Sequence, residues 1–420
     1  MKRILFLLAL MTCAGMKAQQ PSSPIMGMMT WNVFEDRISD QNIRQLADAM
    51  VDLGLQEVGY SYICIDDHWA LPQRDAKGHL QPNPKKFPQG FRMLTDYIHS
   101  RGLKAGIYSD AGHYTCSKAQ PGSLGHEQTD AKDFGRWGFD LLKYDFCHVP
   151  ENTQAFAIKQ YGEMQKALKK HGKKDMVYYV CEWGRLEPWL WAPQMGASCW
   201  RATDDTRDCW ENATYKGGVL DNIKVFAEVW PYTTPGHYND ADMLMCGLHG
   251  QGRSSNDGTD GKGMTQDEYR TQFILWCMWS SPLMLCFDIT TLYDGHSRIS
   301  DLYNPYYKED LEMITHREMI AVDQDPLGKC AEPVVLNKEC LVLLKPLDGG
   351  DYVLSITNLA NYRQQVCLDL GNLKAVEEGK AYQLTDIWNH ITIPGEYDRL
   401  SMVACTLKPH ATEVYRISQK

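Results

Sequence analysis

Eight short apolar runs follow one another along the first two thirds of the chain, with helical patterns between them. The runs are Met26–Trp31, Tyr60–Ile65, Lys104–Tyr108, Leu141–Tyr144, Met176–Cys181, Cys199–Thr203, Tyr238–Leu244 and Leu283–Phe287. Near-continuous apolar character suits strands buried on both faces. After Ser39, a capping residue, apolar side chains fall at Ile43, Leu46, Ala47, Met50 and Val51, the spacing of one helix face. Phe91, Leu94, Thr95 and Ile98 mark a second helix. Phe156 to Leu168 marks a third, stopped by Gly172. Tyr269 to Trp279 is apolar almost all round, which predicts a buried helix. Eight strands alternating with helices predict an α/β fold, a (β/α)8 TIM barrel. The competing doubly wound sheet would carry a glycine-rich phosphate loop after its first strand, and Met26–Phe34 has no GxGxxG.

The rhythm changes near Pro326. Val334–Leu336, Cys340–Leu344, Tyr352–Ile356, Gln365–Leu368, Ala381–Thr385, Ser401–Thr406 and Thr412–Ile417 are short runs divided by turn signals such as Asp348-Gly349-Gly350. They predict a C-terminal antiparallel β-sandwich over 329–420, after a catalytic barrel over 21–328. At the other end, Lys2 and Arg3 precede an apolar Ile4–Met11 and the small residues Ala14, Gly15 and Ala18. Residues 1–20 therefore predict a secretory signal cleaved near Ala18, and a periplasmic or extracellular product. Thr12 before Cys13 fits a lipid anchor poorly. No later run is long enough to span a bilayer. Beyond Cys13 lie 13 of the 14 cysteines, an odd number that leaves at least one free thiol. Cys64, Cys277 and Cys286 sit in apolar runs where a buried thiol is expected.

Charge excludes one class of partner. With 53 acidic and 43 basic residues the chain has a formal charge of −10, against the basic face that nucleic acid requires.

Strand after strand ends in charge: Asp66-Asp67, Asp110, Lys143 and Asp145, Glu182, Arg201 with Asp204-Asp205, then Asp240 and Asp242. One carboxylate at a strand end can simply cap the next helix; a succession of them meets at the C-terminal mouth of a barrel, where such folds do chemistry. Metal is the weaker choice, because His113, His148 and His237 are scattered and no His-x-His occurs. No metal and no cofactor are expected. Lys143 and Asp145 share one face of their strand, and a cation that close favours an ionised carboxylate, as a nucleophile requires. Asp205 or its neighbour Asp204 is the candidate acid. One nucleophilic and one acidic carboxylate suffice for glycoside hydrolysis with retention.

These segments together resemble glycoside hydrolase family 27, the α-galactosidases and α-N-acetylgalactosaminidases, over about residues 24–415. The resemblance is carried in order by Met26-Gly27 with Trp31-Asn32, Ile65-Asp66-Asp67-His68-Trp69, Gly106-Ile107-Tyr108 with Cys116, Leu142-Lys143-Tyr144-Asp145-Phe146-Cys147, Cys181-Glu182-Trp183-Gly184, Trp200-Arg201-Ala202-Thr203-Asp204-Asp205, Asn239-Asp240-Ala241-Asp242-Met243-Leu244 and Ala321-Val322-Asp323-Gln324-Asp325-Pro326-Leu327-Gly328. It implies Asp145 as nucleophile and Asp205, four residues after Arg201, as acid/base. It implies Asp66 and Asp67 at the hydroxyls on the far side of galactose, the axial O4 among them. Lys143 is expected near O3 and O4, Glu182 and Arg201 at the C2 substituent, Trp31 against a sugar face, and Tyr108 and Asp242 in the wall. Cys116 and Cys147 match the family's disulfide. A bulky, acidic Glu182 would suit a free 2-hydroxyl and clash with an N-acetyl group.

Two departures bear on the leaving group. Met28 and Met29 stand where the family usually has Trp and Asn, altering the wall near the aglycone or the barrel floor. Arg185 and extra Trp residues such as Trp189 after the fifth strand are expected to shape the leaving-group side. The activity expected is therefore hydrolysis of terminal α-D-galactosyl residues from oligo- or polysaccharides. A β-L-arabinopyranosidase of the same family is the alternative, and the intact Asp66-Asp67 pair favours galactose. A non-catalytic sugar binder would lack one of the two carboxylates, and a metal-dependent hydrolase would lose activity in chelator. Trp388, the sole Trp of the C-terminal domain, suits a structural cap better than a sugar-binding module. A sugar is the expected partner, and a homodimer is compatible with the sequence.

Overall fold

The computed structural model describes residues 22–173, 175–211 and 217–420. The signal segment, residues 1–20 with Cys13, lies outside them. Eight parallel strands form the first body: β1 Met26–Met29, β2 Tyr62–Ile65, β3 Lys104–Asp110, β4 Leu141–Asp145, β5 Val177–Cys181, β6 Cys199–Arg201, β7 Tyr238–Asp240 and β8 Leu283–Leu285. They lie side by side from β7 back through β1 to β8. The circle closes where Leu244 N–H donates to the Met284 carbonyl at 2.9 Å and Leu244 pairs in parallel with Leu285. All eight expected strands are present. Several stop short of the apolar run, β6 at Arg201 rather than Thr203 and β7 at Asp240 rather than Leu244. There the chain leaves the ladder and turns its polar residues into the mouth.

The helices follow their local signals. Asp40–Asp52 begins where Ser39 Oγ accepts Asn42 N–H at 3.2 Å. Gln154–His171 is capped by Thr153 and ends at Gly172. Gln266–Trp279 opens on a capping box made by Thr265 and Glu268. It is apolar nearly all round because it is clasped between the two domains. On one side it meets the barrel core. On the other, Thr271 Oγ1 bonds the His410 carbonyl at 2.6 Å, and buried Lys345 reaches the Cys277 carbonyl and Ser280 Oγ, both at 2.8 Å.

The C-terminal sandwich contains the seven expected strands, β9 Glu332–Leu336, β10 Cys340–Pro346, β11 Tyr352–Asn358, β12 Gln364–Asp369, β13 Tyr382–Asp386, β15 Met402–Leu407 and β16 Thr412–Gln419. An eighth, β14 Ile391–Thr392, has two residues, too few to show alternation in sequence. The β12–β15 pair forms its own small sheet beside the six-stranded one, over a separate apolar cluster. Trp388 stacks on His316 at 4.8 Å and lies under the Arg270 guanidinium at 5.2 Å. Its ring is spent on the domain junction, as a cap requires. No helix among the described residues is long and apolar enough to cross a membrane.

Candidate active site

Strand ends build one cavity of about 290 Å³ at the barrel mouth, at the small end of ligand pockets and on the scale of a single sugar ring. Its wall includes Trp31, Asp66, Asp67, Tyr108, Lys143, Asp145, Arg201, Asp205 and Asp242, so the structure brings together nine of the ten residues expected to act or bind. The exception is Glu182. It follows Cys181, which pairs in register with Asp145 on β4. Side chains alternate along a strand, so Cys181 faces the cavity and Glu182 turns away. Its Oε2 accepts Leu186 N–H at 2.7 Å, and it lines a neighbouring depression instead. The expectation that Glu182 meets the C2 substituent is corrected on this ground, and with it the exclusion of an N-acetyl group by Glu182.

At the centre is a buried charge network. Lys143 Nζ donates to Asp66 Oδ2 at 2.9 Å, with both side chains almost wholly buried. Lys143 also lies 5.5 Å from the Tyr108 ring centroid. Asp66 is held by the Thr30 hydroxyl, which accepts its backbone N–H at 3.0 Å. Asp67 accepts the Ser117 hydroxyl at 2.6 Å. Asp145 sits under the Cys116–Cys147 disulfide, whose Cys116 sulfur is 3.3 Å from its Oδ2. A disulfide sulfur has no proton to donate, so this is a packing contact. Asp145 Oδ1 is buried and has no hydrogen-bond partner. The disulfide segment is braced in turn by buried Asp110, whose Oδ2 accepts Cys147 N–H at 3.0 Å. The other eleven described cysteines are free, Cys64, Cys277 and Cys286 among them and buried.

Across the cavity Arg201 is the hub. It donates to Asp205 Oδ1 at 3.0 Å and pairs with Asp242 at 2.8 Å, both Arg201 and Asp242 being about 1% exposed. The second contact lacks hydrogen-bond alignment and is an attraction between charges. Asp242 has φ 78°, a left-handed backbone uncommon outside glycine and held here by its surroundings. Asp205 is half exposed, within 4.0 Å of Arg207, which is itself paired with Asp257 at 3.0 Å. Asp204 points outward to Arg185 and stays out of the cavity, so the geometry separates the two neighbouring aspartates.

The two carboxylates facing each other have opposite electrostatics. Burial pushes Asp145 up to about 7, with Lys143 opposing and Asp66 adding to the rise. Burial works the same way on Asp205, but Arg201, Arg207 and Lys143 outweigh it and hold that carboxyl below its ordinary range. In the protein alone one proton is thus held near Asp145 at mildly acidic pH, while Asp205 is ionised.

Sequence reasoning missed Cys181, Trp183, Arg207, Arg253 and Asp257, all of which line the cavity. Cys181 was signalled by the parity of its strand. Arg253 and Asp257 come from a short helical turn after β7 and had no periodic signal. Of the two departures, Met28 and Met29 are wholly buried in the core and do not reach the cavity, so they alter the barrel floor. Arg185 does line the cavity; Trp189 packs on Tyr232 and Trp191 is buried.

The family profile described as alpha galactosidase A matches residues 23–304, and that of the alpha galactosidase C-terminal beta sandwich domain matches residues 337–417. The chain belongs to the α-galactosidase family of glycoside hydrolases. It is 36% identical over 401 residues to an alpha-galactosidase of Cyamopsis tetragonoloba, covering 95% of this chain and 87% of that one. Its fold superposes on alpha-galactosidase I of Mortierella vinacea with a TM-score of 0.83, at 28% identity, covering 94% and 97% of the two chains. A β-L-arabinopyranosidase of Geobacillus stearothermophilus gives a TM-score of 0.78 at 22% identity, covering 94% and 96%, a likeness of fold alone. The chain is therefore a glycoside hydrolase of α-galactosidase type, and the arabinopyranosidase alternative has less behind it.

Proposed function

We propose that this chain releases terminal α-galactose with retained configuration, with Asp145 as nucleophile and Asp205 as general acid and base. The observation that carries the assignment is the pairing of a buried carboxylate with one free oxygen against a half-exposed carboxylate gripped by arginines, in one sugar-sized cavity. Asp145 Oδ1 forms a bond to the anomeric carbon as the bond to the leaving oxygen breaks, and Asp205 gives that oxygen its proton. Asp205, now ionised, takes a proton from water, whose oxygen displaces Asp145 from the same carbon. Glycosylation requires one proton shared by the two carboxylates, on Asp205. The protein's own groups favour Asp145. Sugar hydroxyls donating to Asp145, and exclusion of water from Asp205, drive the proton across.

Asp66 and Asp67 are assigned to the hydroxyls around the axial O4, and Lys143 to O3 and O4. An equatorial epimer would leave a buried carboxylate unpaired, which disfavours it. Trp31 offers its ring to a sugar face, Tyr108 and Asp242 complete the wall, and Arg201 with Cys181 borders C2. The division into a barrel to residue 328 and a sandwich from 329 belongs to the same assignment. Export by residues 1–20 is supported by the Cys116–Cys147 bridge, which needs an oxidising compartment.

Hydrolysis of an aryl α-galactoside tests the assignment, beside Asp145→Asn, excess chelator, and the aryl β-L-arabinopyranoside. Turnover of the galactoside, abolished in Asp145→Asn and indifferent to chelator, is expected. Turnover of the arabinopyranoside alone would replace the substrate and keep the mechanism.

A further inference from the structure

A second cavity, of about 360 Å³, opens beside the first, and the two share four wall residues, Cys116, Cys147, Trp183 and Arg185. The partition between them is built rather than incidental. Trp183 has φ 62° and Gly184 φ 74°, two left-handed residues in succession. A Cβ on Gly184 would lie 2.1 Å from the Ala202 carbonyl oxygen, so only glycine permits the turn. The turn projects Trp183 into the mouth, and the Arg185 guanidinium covers its ring at 4.9 Å. Arg185 Nε is anchored at 3.0 Å to Asp204, the residue next to Asp205. The far cavity is polar. His148 and Asn152 lie on its exposed side, and Glu182 forms its buried side. Glu182 is 1% exposed, and its Oε1 is buried with no partner. A buried acceptor in that state lacks the hydrogen bond that such groups normally make.

We propose that the Trp183–Arg185 partition and the cavity behind it are a leaving-group subsite for a neutral oligosaccharide, holding the first sugar beyond galactose at the partition and the second in the outer cavity. This rests on Asp205 as the acid, since the leaving oxygen must sit at that carboxyl and the departing chain must pass the residues flanking it. A sugar ring has an apolar face for Trp183 and hydroxyls for Arg185, Asn152 and the unpartnered Glu182 oxygen.

The test compares kcat/KM for three substrates, an aryl α-galactoside, the disaccharide melibiose and the trisaccharide raffinose. Each is measured with the unaltered enzyme and with Arg185→Ala, Asn152→Ala and His148→Ala. All three positions are exposed, so the variants should fold. The expected result is a fall of about tenfold in the raffinose-to-aryl ratio in the Asn152 or His148 variant, the worth of one strong hydrogen bond. Arg185→Ala should lower both the melibiose and the raffinose ratios by a similar factor. Ratios within about twofold of the unaltered enzyme in all three variants would overturn the subsite, since each tenfold stands for about 1.4 kcal/mol. An equal fall on all three substrates in Arg185→Ala would overturn it too, by placing Arg185 in the galactose cavity alone. An unaltered enzyme inactive on the aryl galactoside would refute the parent assignment, a failure visible before any ratio is formed.

Discussion

Arg207 offers a direct test of the electrostatic arrangement. Asp205 is faced by Arg201, Arg207 and Lys143 and repelled by Asp145 and Asp242, and Arg207→Gln removes one cation at 4.0 Å. Because Asp205 is half exposed, the water limit of Coulomb's law applies, about 1 kcal/mol at that distance. That converts to about 0.7 pH units. The sign is upward, since losing a cation makes a carboxylate harder to ionise. In kcat/KM against pH, the active enzyme carries one proton between Asp145 and Asp205. Its alkaline limb reports the loss of that proton and should fall near pH 7, the value to which burial raises Asp145. Its acid limb reports Asp205, so Arg207→Gln should move the acid limb up by about 0.7 pH units and leave the alkaline limb in place. The plateau should rise by up to about fivefold, because more of the single proton then resides on Asp205. The assay is initial-rate hydrolysis of a galactoside with a poor leaving group from about pH 3 to about pH 9. An alkaline limb that moves while the acid limb stays fixed would refute the assignment of the two limbs. A plateau that falls with both limbs unmoved would show that Arg207 acts on the substrate and not on Asp205.

Other outcomes follow from the packing. Lys143→Met leaves Asp66 buried without its 2.9 Å partner and should lower unfolding free energy by about 3–5 kcal/mol in urea melts. Lys345→Met removes two hydrogen bonds between the sandwich and the Gln266–Trp279 helix. It should cost about 1–3 kcal/mol, read as a lower melting temperature. Replacing Cys116 and Cys147 together by Ser opens a loop of 31 residues, worth about 3–4 kcal/mol on the chain-entropy scale, and should be read by denaturant titration.

The barrel was legible because its strands are buried on both faces and its helices carry their own caps. Apolar runs and residues such as Ser39 and Gly172 announce those elements locally. The galactose end of the site was legible for a related reason, as strand ends place Asp66, Lys143, Asp145 and Arg201 at one mouth whatever the loops do. Glu182 was misplaced by one residue of parity. Lys143 and Asp145 face the mouth from β4, and β5 pairs with that strand so that Cys181, not Glu182, shares the side of Asp145. Register between neighbouring strands fixes that choice, and register is a property of the assembled sheet. Arg207, Arg253 and Asp257 were out of reach for a different reason. Arg207 stands on the loop after β6 and Arg253 and Asp257 on a short helical turn after β7, where no period relates one side chain to the next, and only the closed barrel brings the two segments to one mouth. The division falls between the two halves of the substrate. Groups assigned to galactose lie mostly on strand ends that the fold imposes, whereas groups assigned to the leaving sugar lie on loops that can change without disturbing the barrel. Loop substitutions at Arg185 or Asn152 should therefore retune which oligosaccharide is cut, while the bond that is broken stays the same.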